Sequence, residues 1–82
     1  MTVAEQKVTW ARIAQVQSLS EAHDLLPRMM PRDGAAPADL RRFHEKSAAV
    51  YQRVAEIDRG HHHEALYWAD REARLARELG EA

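Results

Sequence analysis

From Ala38 to its end the chain contains no proline, and glycine interrupts it only at Gly60 and Gly80. The stretch is dominated by Ala, Leu, Glu and Arg, all good helix formers. Nothing else in the sequence constrains the fold as strongly, because helices of this length are stabilised mainly by burying an apolar face. Leu40, Phe43, Ser47, Val50, Val54 and Ile57 recur at alternating three- and four-residue spacings and so share one face, with Tyr51 and His44 flanking it. A second stripe follows in Ala65, Leu66, Ala69, Ala73, Ala76 and Leu79. Opposite charges four apart, Arg41 with Glu45, Asp70 with Arg74 and Arg74 with Glu78, mark the solvated faces and contribute about 0.2–0.5 kcal/mol each.

Gly60 decides between two architectures. In one, it is the residue just past the end of a helix, and a new helix starts at the histidines. In the other, one helix runs through at a cost of about 1 kcal/mol relative to Ala. A seven-residue ladder, Leu40, Ser47, Val54, His61, Trp68, Leu75, suits a continuous helix in an antiparallel coiled coil. A Ser and a His on the seam, and a length beyond that of most globular helices, argue for the break. We read a break, with helices over about 38–59 and 61–79 folding into a long antiparallel hairpin. Gly60 to Leu66 resembles the G-x-x-x-E-A-L turn of tetratricopeptide repeats, which implies a shared way of turning between helices.

Upstream the signals are shorter. Thr2 and Glu5 form a capping-box pattern, and Val3, Trp10, Ile13, Ala14 and Val16 give an apolar surface, so a helix is expected over about 3–18. Ser20 caps a second, over about 21–30, presenting Ala22, Leu25, Leu26 and Met29. Pro27 makes it irregular and Pro31 ends it. Residues 31–37 are a loop, with Asp33-Gly34 as its turn and Pro37 at the first helical position beyond. Arg12 to Gln17 echoes Arg53 to Asp58 position by position, which would make two helix-turn-helix units. The expectation is a single all-α domain, a small helical bundle built on the hairpin.

An 82-residue chain buries only about 60–65% of its unfolded surface. Self-association, a partner, a metal or very regular helix packing is then the expected supplement. The absence of cysteine excludes disulfides, thiolate metal sites and a cysteine nucleophile. It fits a cytoplasmic protein. Twelve Lys and Arg against thirteen Asp and Glu, a net charge of −1, disfavours nucleic acid as a partner and with it a small helical transcriptional regulator. No apolar run is long enough for a membrane span, and the N-terminus lacks the apolar segment of a signal peptide.

The chemistry-bearing letters cluster at Asp58-Arg59-Gly60-His61-His62-His63-Glu64. Imidazole and carboxylate bind divalent transition metals, and Asp58-x-x-His61 has the carboxylate-x-x-His spacing of di-iron bundles. Adjacent helical residues point about 100° apart, so three consecutive histidines cannot share one ion. The metal candidates are Asp58, His61 and His62, with His44 joining through a fold-back or a second chain. The alternative is architectural, the run starting a helix with Glu64 favourably placed in its first turn. A pH-sensing role is the third reading. Nucleophile elbow, phosphate loop and H-E-x-x-H motifs are missing, so no catalytic residues and no cofactor beyond the possible metal are expected. The leading expectation is a non-enzymatic interaction or adaptor module, self-associating through an apolar helix face. Trp10, Val50, Tyr51, Val54, Ile57 and Trp68 lie near that contact. Met29 and Met30, beside the prolines, offer an adaptable surface or a core cap.

Overall fold

The computed structural model describes residues 7–80. It contains four α-helices and, among the described residues, no strand. Helix α1 spans Trp10–Ile13, α2 Leu19–Leu25, α3 Pro37–Ile57 and α4 His62–Gly80. Short 3₁₀ turns, Leu26–Met29 and Arg59–His61, follow α2 and precede α4. The fold is the all-α hairpin expected, with α3 and α4 packed closely along each other and α2 against α3. Among the described residues no helix is long and apolar enough to cross a membrane.

Helix α3 starts where Pro37 supplies a pre-set φ and no amide to satisfy, with Asp39 in the first turn against the helix dipole. The loop before it turns at Asp33-Gly34, where Gly34 takes φ of +87°, a conformation that favours glycine. The hairpin break is real, but its residue is Asp58, at φ −100° and ψ 74°. Gly60 does not adopt the left-handed conformation of a residue closing a helix. It sits inside the 3₁₀ turn with open space around it. At this break Asp58 Oδ2 accepts hydrogen bonds from the Leu19 amide at 2.9 Å and from His61 Nδ1 at 3.0 Å, which tie the turn to α2 and to the residues that follow.

The N-terminal half departs from the expected helix over 3–18. The described part of it is one helical turn, capped by Thr9 Oγ1, which accepts from the Arg12 amide at 3.1 Å. The Thr2–Glu5 capping pattern and Val3 lie outside the described residues. After Ile13 the backbone finds other partners. The Val16 carbonyl accepts from Arg53 of α3 at 2.6 Å. The Gln17 amide donates to Glu21 Oε1 at 2.8 Å, and Ser18 Oγ accepts from the Glu21 amide at 3.1 Å. The cap of α2 is therefore Ser18, two residues before the Ser20 expected, and Ser18-x-x-Glu21 is its capping-box pattern. The echo between 12–17 and 53–58 is one of letters only. Arg53 and Asp58 both hold the α1–α2 connection from across the fold.

The core gathers at the turn end of the hairpin. Ile13, Val16, Leu19, Ala22, Leu25 and Leu26 pack against Tyr51, Val54 and Ala55 of α3 and Ala65 and Ala69 of α4. Short alanines on α4 bring the two long helices close, and the N-terminal segment covers them.

Candidate functional site

Halfway along the hairpin, α3 presents His44, Ser47 and Tyr51, three and four residues apart and so on one face. Opposite, α4 presents Trp68, Arg71, Glu72 and Leu75 by the same rule. His23 of α2, with Leu26, Pro27 and Met30 after it, closes a third side. Together they line a half-open, mainly apolar cavity of about 320 Å³, within the size range of ligand pockets.

Its polar groups are organised around Glu72, which is buried although it is a carboxylate. Oε1 accepts from His44 Nδ1 at 2.7 Å and Oε2 from Arg71 Nη1 at 2.7 Å. A buried charge needs such partners, since desolvation costs several kcal/mol. Tyr51 is buried beside it, and its hydroxyl lies 2.9 Å from His23 Nδ1. Burial first, and the Glu72 carboxylate second, push the phenol up to about 12 against the opposing pull of Arg71. The phenol therefore keeps its proton and pairs with the imidazole as a neutral hydroxyl. Trp68 packs edge-on against His23 at 5.0 Å between ring centroids, and the Arg71 guanidinium lies 5.3 Å from the indole centre.

Ser47, one turn from His44, brings the residue types of a Ser–His–acid relay into the groove. They do not form one. Ser47 Oγ is sealed from solvent and has no hydrogen-bond partner among the described residues. The arrangement suits binding: aromatic and apolar walls over a polar floor whose carboxylate is fully engaged.

The residues singled out in sequence divide sharply. Asp58 and His61 meet, as above. The Leu19 amide, then His61, hold the Asp58 carboxyl below its ordinary value, and Asp58 raises the His61 imidazole. His62 turns away, its Nδ1 donating to the Ala55 carbonyl at 2.7 Å. His44 is committed to Glu72 in the groove. The four metal candidates are thus not brought together, and among the described residues no three His, Asp or Glu side chains gather as a metal site needs.

Of the proposed contact residues, Val54 is fully buried and Tyr51 nearly so. This is a correction: they belong to the intramolecular core, because the N-terminal segment covers the face that a partner was expected to cover. Trp10, Val50 and Trp68 are partly buried against that core, and Ile57 is 40% exposed.

Glu72 and His23 were not legible as site residues. Glu72 is hidden in a run of charges, yet it falls on the buried stripe Ala65, Ala69, Glu72, Ala76, in place of the Ala73 expected there. A lone carboxylate on a stripe of alanines was the available signal. His23 carried none. No protein-family model matches the chain, and neither a curated protein nor a solved structure shows significant similarity to it.

Proposed function

We propose that the protein is a small non-enzymatic helical interaction module that takes an apolar group of a helical partner into the groove between α2, α3 and α4. One observation carries this reading: an open cavity of about 320 Å³ whose walls include Phe43, Trp68, Leu75 and the half-exposed Met30. Buried aromatic anchors in such pockets dominate binding energy at protein interfaces, and methionine adapts to varied partners. The Glu72 network has every carboxylate oxygen engaged, which supports recognition over proton transfer.

The test is uptake of a neutral apolar fluorophore, N-phenyl-1-naphthylamine, by the folded protein. Emission should rise with wild type and fall strongly with Met30→Asp, a rim change that leaves the helical circular dichroism intact. A folded wild type that takes up no probe overturns the reading. Light scattering across concentration then identifies the partner class. Mass rising toward a dimer makes it a second copy, and a constant monomer makes it a different protein.

A further inference from the structure

The groove does not end at Phe43. That ring also lines a second cleft of about 370 Å³, formed with Trp10, Met29, Arg32, Arg42 and Lys46. The two clefts share a design. Each has one indole with a cation against it: Arg71 lies 5.3 Å from the Trp68 ring and Lys46 Nζ 5.1 Å from the Trp10 ring. Each takes one of two consecutive methionines, Met30 in the groove and Met29 in the second cleft.

Their charges are lopsided. Four cationic side chains, Arg32, Arg42, Lys46 and Arg71, line the pair against two carboxylates, Asp39 and Glu72. Both carboxylates are already engaged, Glu72 by His44 and Arg71 and Asp39 by Arg42 at 3.2 Å. The chain as a whole has a net charge of −1, so this trough is a local reversal of sign.

Resting on the reading of the groove as the docking surface, we infer that the partner segment is an acidic peptide that spans both clefts. It places an apolar anchor on each side of Phe43 and carboxylates against Arg32 and Lys46, the lining cations that are not already committed to Asp39 or Glu72. Two clefts in a row fit a chain with repeated anchors better than one compact small molecule, and the cationic rim sets the sign of the groups beside them.

The experiment uses the full chain labelled with ¹⁵N and three short alanine-based helical peptides. They carry the same Leu and Phe anchors and differ only in having Glu, Gln or Lys at the flanking positions. The indole N–H signals of Trp10 and Trp68 report the two clefts separately. The Glu peptide should shift both signals and bind about tenfold tighter than the Gln peptide, with the Lys peptide weakest and the preference fading in salt. Arg32→Gln with Lys46→Gln, both exposed and remote from Glu72, should erase the preference while leaving the fold intact. Equal binding of the three peptides overturns the acidic partner and leaves the groove as a docking surface. A shift of Trp68 alone overturns the two-cleft span. Absence of binding by every peptide overturns the inference, and the neutral fluorophore then decides separately whether the groove is receptive. Tighter binding of oligothymidine than of the Glu peptide also overturns it, in favour of a single-stranded nucleic acid.

Discussion

At the hairpin turn, Asp58, His61 and His62 lie within five positions of one another, and their hydrogen bonds shape the backbone: one fixes the Leu19 end of α2, one holds the turn, one caps the Ala55 carbonyl. In the groove, His44 and Glu72 stand 28 positions apart and are both largely withdrawn from water. The same residue types do opposite things in the two places. Where they are close in sequence the Asp58–His61 pair is exposed, so solvent competes for it and it contributes little energy, while the part-buried bonds to the Leu19 amide and the Ala55 carbonyl set the backbone. Where the fold brings them together in a drier setting, losing one partner strands a buried charge.

The largest expected effect breaks that contrast directly. His44→Ala leaves Glu72 buried with Arg71 alone and should destabilise by about 3 kcal/mol in urea unfolding. Replacing both partners together, His44→Leu with Glu72→Leu, which removes the pair and keeps the volume apolar, should be near neutral. If both changes cost the same, the groove network is no different in kind from a surface pair.

Ser47→Ala removes a buried hydroxyl with no partner among the described residues. It should stabilise by about 1 kcal/mol, raising the melting midpoint by roughly 4–8 °C for a chain of this size. A lowered midpoint would mean that the hydroxyl is bonded within the fold.

Gly60→Ala probes the turn. With no left-handed φ and open space about it, the change should stabilise by about 0.4–1 kcal/mol through the unfolded chain. Gly34→Ala, at φ +87°, should destabilise. Loss of stability at both positions would restore Gly60 as the helix-ending residue.

The smallest effect is the pH dependence of the turn. Asp58 is held below its ordinary value, so its contribution is present above the unfolded carboxylate pKa and is lost as pH falls through the folded one. His61 is raised, so its contribution is present below the unfolded imidazole pKa and is lost as pH rises through the folded one. Both contributions are therefore fully present between the unfolded carboxylate and the unfolded imidazole values, and each fades beyond its own limit. Melting midpoints measured from acid to mildly alkaline pH should show Asp58→Asn flattening both limbs. Unchanged limbs in that variant would assign them to other groups.

Sequence by itself determined the two long helices, the loop between residues 31 and 37, and a hairpin turning near Gly60. These follow from helical periodicity and from proline and glycine, which act within a few residues. It also placed Phe43, Ser47 and Val54 on a buried face. Tertiary structure decided the path after α1, because the groups that hold the Val16 carbonyl and the Leu19 amide at the start of α2 are Arg53 and Asp58, 37 and 39 positions away. It decided that Tyr51 and Val54 are covered by the chain's own N-terminal segment. And it made the groove, since His23, His44 and Glu72 carry no common local pattern and meet only when the hairpin sets the register of α4 against α3.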